Sequence, residues 1–309
     1  MNTTPTSDEK VMAALAHASV ILSFLGPIAP TLIWSTQRQK SNYVRYHALQ
    51  AMGYQALFFW LWFIGIFGLF LLIFPLLIVF SALFVRNSNN MELFPFLIQA
   101  LMFLFIFGFF GCYYLVGLVG AVFCFLGRDF RYPLLGNWLK RYLSRDAILE
   151  DEINEIREEQ WVGGLCHSTV VLQMWGIILP LIVWILQKER SAKLKFQAAQ
   201  AAAHQTIAFA AYMLGMIVYM FLFFGIMVAG IGGSLLSGAG QVSGLVGMLM
   251  VIVLVGAILV MFATILTIPI FQLLGLVGVV RTIRGHDFHY PFLGRFIERR
   301  MKPASETAQ

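Results

Sequence analysis

The chain has 309 residues, of which 60% are hydrophobic and only 12% charged, with a mean hydropathy of +0.80 and a formal net charge of +6. An ordinary soluble domain is about a quarter charged, so water is not the main solvent of this fold. Three cysteines, Cys112, Cys124 and Cys166, sit in apolar runs without paired spacing, which excludes a zinc knuckle or CxxC redox pair, argues against a disulfide framework and reads as packing.

Residues 1–10 form a polar tail whose Asp8 and Glu9 are unlike the basic start of a secretory signal, so it is expected to be retained. Beyond it the apolar residues fall in charge-free blocks at 11–37, 47–85, 93–127, 161–187 and 197–280. Each reaches or exceeds the roughly 20 residues a helix needs to cross hydrocarbon. Backbone amides in lipid must be satisfied within their own segment, and the blocks lack the period-2 alternation of barrel strands. The expected fold is an all-α polytopic integral membrane protein.

The chain also repeats itself. At an offset of 150, residues 11–60 align without a gap on 161–210 with 15 identities in 50, among them His17/His167, Gly26/Gly176, Pro30/Pro180, Trp34/Trp184, Gln50/Gln200 and Gln55/Gln205. At an offset of 158, residues 114–139 align on 272–297 with 13 identities in 26, including Gly127, Asp129, Phe130, Tyr132 and Pro133 against Gly285, Asp287, Phe288, Tyr290 and Pro291. Two homologous three-segment modules are therefore expected at 11–145 and 161–300, followed by a polar tail at 301–309. Between them, residues 146–160 are rich in Asp and Glu and carry Leu149, Ile153 and Ile156 at helical spacing. That pattern predicts a solvated amphipathic connector helix.

Charge decides how the modules thread, because cytoplasmic loops are enriched in Lys and Arg near the ends of spans. Three crossings per module would place Arg38, Lys40 and Arg45 opposite Lys188, Arg190, Lys193 and Lys195. If the first segment of each module enters and returns, 20 of the 21 basic residues share one side and only Arg86 lies across. Gly26, Pro27 and Pro30 offer a place to turn, as do Gly176 and Pro180 in the second copy. The re-entrant arrangement is expected, with one kinked crossing as its alternative. Both termini and both basic loops then face the cytoplasm of a bacterial-type plasma membrane.

Polar side chains inside a membrane are costly enough to mark candidate sites. His17 and His167 lie in the first segments. The second segments open with His47, Gln50 and Tyr54 in one copy and Gln197, Gln200 and His204 in the other, on one helical face, with Gln55 and Gln205 beside them. This seam reads as hydrogen-bonded glue between helices, or alternatively as a solute path. Each His is expected to pair with the Gln of its own copy, Gln50 or Gln200, directly or through one polar group.

Past the third segments, Arg128, Arg131, Tyr132, Trp138, Lys140 and Arg141, and in the repeat His286, His289, Tyr290, Arg295, Arg299 and Arg300, interleave aromatic and cationic groups. They are expected to anchor in anionic lipid headgroups rather than in nucleic acid. His286 and His289 have the spacing of a metal pair, but Arg128 and Arg131 replace them in the first copy, so no metal site is expected. No carboxylate lies inside an apolar block, and no GxSxG elbow, HExxH pair or phosphate loop occurs. Neither catalysis nor a cofactor is expected.

The run Tyr43-Val44-Arg45-Tyr46-His47-Ala48-Leu49-Gln50-Ala51, which follows an apolar segment ending in Trp34, resembles the signature of the Tic20-like group and the related bacterial family DUF4870. The closing stretch around Tyr132-Pro133 resembles the end of that domain, and both recur in the second copy, where Gln197 replaces His. The resemblance implies a non-enzymatic membrane subunit that scaffolds a complex, with protein translocation or insertion as its task and other membrane subunits or a second copy as partners. A channel or facilitator for a small solute is the alternative.

Overall fold

The computed structural model describes residues 4–84, 93–144, 153–236 and 244–301, and all regular structure among them is helical. Arg86 with its neighbours, residues 146–152 of the expected connector and the outer parts of both tails lie outside the described residues. The first module runs α1 (Ser7–Ala18), a 3-10 turn (Ser19–Leu25), α2 (Ile28–Gln37), α3 (Asn42–Phe84), α4 (Leu93–Phe125) and α5 (Leu135–Leu143). The second repeats it as α6 (Glu155–Ser168), a 3-10 turn (Thr169–Trp175), α7 (Ile178–Gln187), α8 (Ala192–Leu236), α9 (Gly244–Ile283) and α10 (Leu293–Met301).

Four helices are long and apolar enough to cross a membrane, over Asn42–Val79, Ile98–Phe125, Ala192–Gly230 and Gly247–Ile283. Their outward faces carry Leu71, Leu104, Phe107 and Phe221, each at least 70% exposed, as lipid contact requires. The 43 residues of α3 extend about 65 Å, twice the hydrocarbon thickness, so only part of each long helix needs lipid.

The first segments fold back on themselves as hairpins of two short helices. At 12 and 10 residues, α1 and α2 are each too short to cross alone, about 18 and 15 Å. The chain descends along α4, with Lys10 against Gly127, His17 against Gly120 and Val20 against Gly117. It then turns and climbs along α3, where Gly26 meets Gln55 and Thr31 meets Met52. Both ends of this hairpin lie beside the start of α3. The second module does the same, with Gln160 against Gly285, His167 against Gly278 and Val170 against Gly275.

The reversal falls before the expected Gly-Pro break, at Ser23 (φ 51°, ψ −116°) and at Gln173 (φ 52°, ψ −120°). The Ser23 hydroxyl is held 2.6 Å from that of Tyr114. Pro27 instead caps α2, where a missing amide hydrogen costs nothing. At the chain's start, Thr6 and Glu9 exchange capping hydrogen bonds, and Asn154 accepts from the amides of Ile156 and Arg157 to start α6.

The described end of the expected connector, 153–160, is not a solvated helix. It joins α6 directly, with Ile153, Glu158 and Gln160 buried and Ile156 turned outward. The amphipathic reading failed because Glu158 has buried cationic partners, which outweigh its preference for water.

Candidate functional site

In the first module the polar seam closes into one buried cluster. His17 Nδ1 lies 2.8 Å from the Tyr132 hydroxyl, and His17 Nε2 lies 3.2 Å from His47 Nδ1. Cys124 Sγ approaches the same His47 nitrogen at 3.4 Å. Tyr54 stacks on Tyr132 at 3.9 Å between centroids and donates to the Tyr113 carbonyl. Gln50 does not touch His17: its amide donates to the Phe130 carbonyl and its oxygen accepts from the Tyr132 amide, so it fixes the loop that carries Tyr132. Gln55 donates to Ser19 Oγ at the turn of the hairpin.

The second module keeps the frame and changes the contents. His167 lies 3.0 Å from the Tyr290 hydroxyl and 2.8 Å from Gln197 Oε1, which in turn accepts from Gln200. The expected link through one intervening group forms here. His204 replaces Tyr54 in the stack, 3.9 Å from Tyr290, and Gln205 donates to the Cys166 carbonyl and Thr169 Oγ1.

Tyr132 and Tyr290 are each 2% exposed, so neither is the lipid-facing anchor that the sequence suggested. Each hydroxyl is turned inward to a histidine, and burial holds both phenols above their usual range, so they stay protonated. The other expected anchors lie outward. Arg128 sits over the Phe123 ring, Arg131 pairs with Asp129 at 2.7 Å, and Arg141 donates to the Asn137 carbonyl. Lys140 is half-buried and Trp138 is exposed on α5, stacked on Tyr142. Among the repeat's residues, His286, Arg295, Arg299 and Arg300 are exposed, and His289 lies 3.5 Å from Glu298.

A third constellation joins the modules, and sequence reasoning missed it. Arg45 grips Glu158 at 2.6 and 2.7 Å, Arg38 reaches the same carboxylate at 3.0 Å, and Trp34 Nε1 donates to it at 2.7 Å. Arg38 also donates to Gln187 Oε1. Two more indoles cross the boundary, Trp161 donating to the Leu49 carbonyl and Trp60 to the Ser168 carbonyl. Tyr142 of α5 adds a bond to the Ile283 carbonyl at 2.7 Å, and burial pushes its phenol up to about 12. The sequence signal was the contrast between Arg38 and Arg45 in the first copy and Lys188 and Lys195 in the second: a planar guanidinium suits a buried carboxylate better than an ammonium does.

Most of this polar chemistry holds helices together. Only His17, His47 and Cys124 gather atoms able to ligate a metal among the described residues, all within 4.8 Å of one another. Fold and polar groups together define a multi-pass helical membrane protein built from two tandem homologous modules. The chain belongs to the MamF/MmsF family, the magnetosome magnetite crystal formation protein family, whose model matches residues 8–139 and 158–297. This corrects the Tic20-like and DUF4870 resemblance: the two copies stand and the family does not, and the resemblance was what implied a role in protein translocation. A basic residue, an aromatic and a Gln-Ala pair after an apolar segment proved too short a signature to name a family. No curated protein and no solved structure matches the chain.

Proposed function

We propose that this protein acts in magnetite crystal formation as a non-enzymatic scaffold of the magnetosome membrane, a rigid block that presents a fixed basic face to anionic lipid and to membrane partners. The observation that carries this reading is the buried grip of Arg38 and Arg45 on Glu158, which ties the two modules together. A solute carrier that worked by rocking one module against the other would have to break that grip in each cycle. The seam amides of Gln50, Gln200 and Gln205 likewise donate to backbone carbonyls.

The test removes the protein from magnetite-forming cells and measures crystals and membrane vesicles by electron microscopy. Vesicles that persist while crystal size or number changes, with recovery on re-expression, support the scaffold. Iron flux through the purified chain alone in liposomes would overturn it in favour of a channel.

A further inference from the structure

We infer that the first module holds a transition-metal site built from His17 Nε2, His47 Nδ1 and Cys124 Sγ, and that the second module lacks it. The inference does not depend on the scaffold reading.

Geometry comes first. The His17 to His47 nitrogen distance is 3.2 Å and the Cys124 sulfur lies 3.4 Å from the same His47 nitrogen. Ligands around a tetrahedral ion bound at about 2.1 Å through nitrogen and 2.3 Å through sulfur stand about 3.4 to 3.6 Å apart. The third edge, His17 Nε2 to Cys124 Sγ, is bounded by 4.8 Å, so a tetrahedral ion fits between these three atoms once that edge closes by as much as about 1.2 Å.

Hydrogen bonding without a metal does not close. His47 Nδ1 faces both His17 Nε2 and the Cys124 sulfur, and an imidazole nitrogen offers either one hydrogen or one lone pair, so it can serve only one of the two fully. Meanwhile His47 Nε2 is buried with no hydrogen-bond partner among the described residues, 4.0 Å from Asp129 Oδ1. Placing an ion resolves the first fault and fixes the tautomer that puts a hydrogen on His47 Nε2, on the side of Asp129. His17 and His47 each give a lone pair, His17 Nδ1–H donates to the Tyr132 hydroxyl, and His47 Nε2–H has Asp129 as its nearest carboxylate, 4.0 Å away. These are the outer partners that orient metal-binding imidazoles. Cys124 binds as the thiolate and its proton is released to solvent. A divalent ion and the thiolate together leave one positive charge, which Asp129, itself paired with Arg131, offsets only in part.

The second module supplies the internal comparison. His167 and Tyr290 remain, but Gln197 stands for His47 and Thr282 for Cys124. There His167 Nε2 makes one good hydrogen bond to Gln197, and nothing competes for it. Two imidazoles and a thiolate favour zinc, iron(II), cobalt(II) or copper(I) over magnesium or calcium. Three protein ligands leave a fourth position open, as exchangeable sites require. A cleft of about 270 Å³ lined by Tyr43, Tyr46, Asp129 and Arg131 lies beside the site, with the Tyr43 and Tyr46 rings packed between it and His47.

The test uses the full chain in mild detergent, stripped with a chelator and titrated with cobalt(II), in a Cys112→Ser, Cys166→Ser background so that Cys124 is the remaining thiol. The expected result is a thiolate-to-cobalt charge-transfer band that saturates at one ion per chain and is removed by zinc. His47→Gln and Cys124→Thr, which copy the second module, should keep helical circular dichroism; the first should weaken binding at least tenfold and the second abolish the band. Gln197→Ala should leave the stoichiometry unchanged. A folded chain with an intact Cys124 and no band overturns the site, whether or not the variants fold. So does a band that survives Cys124→Thr.

Discussion

Arg45 and Glu158 form a bidentate pair, Nε to Oε1 at 2.6 Å and Nη2 to Oε2 at 2.7 Å, across the boundary between the modules, and the carboxylate is wholly buried. Removing one partner of such a pair leaves an uncompensated charge, at a cost of about 3 to 5 kcal/mol, whereas replacing the ions together with apolar groups can be neutral. Glu158→Ala should therefore lower the melting temperature in detergent markedly, and Arg38→Met, Arg45→Met with Glu158→Leu should recover most of the loss. Equal melting of Glu158→Ala and wild type would show that the grip contributes nothing.

Gly53 of α3 lies so close to the Trp161 ring that a methyl group there would overlap it. The second module carries Ala at the matching position, Ala203, so the helix itself tolerates the change. Gly53→Ala should destabilise by about 1 to 3 kcal/mol through the boundary alone, and Trp161→Phe should relieve part of it. Unfolding curves of the two single variants and the double would reveal the coupling.

In the seam, His17 meets Tyr132 at 2.8 Å while Gln50 is engaged with the backbone of Phe130 and Tyr132. A double-mutant cycle on thermal stability should give a His17–Tyr132 coupling near 1 kcal/mol and a smaller one for His17–Gln50. The reverse order would mean that the histidine answers to the glutamine after all.

The hairpin path places both basic loops beside the starts of α3 and α8. Lys40 and Arg190 are equivalent and exposed. Cysteines at these two positions should react with a membrane-impermeant maleimide from the same side of intact vesicles. Labelling from opposite sides would require the first segments to cross.

Helix content, the duplication and the polar seam were legible because long charge-free runs and repeated residues are properties of the chain itself. The turn was read at Gly26-Pro27, yet the strained residues are Ser23 and Gln173, unlike each other and unremarkable in type. Glu158 looked like one more acid in a solvated stretch, because its partners Arg38 and Arg45 lie more than a hundred residues away. Cys124 read as packing for the same reason. Its sulfur gains meaning only when α4 is laid against α3 and brings it to His47.

The claim that the two modules form one body is tested most directly by cutting the chain within 145–152 and co-expressing the halves with separate tags. Affinity capture of the first half in mild detergent should retrieve the second, and Glu158→Ala should reduce that recovery about tenfold or more. Halves that separate freely, or a Glu158→Ala pair retrieved as well as wild type, would contradict the account.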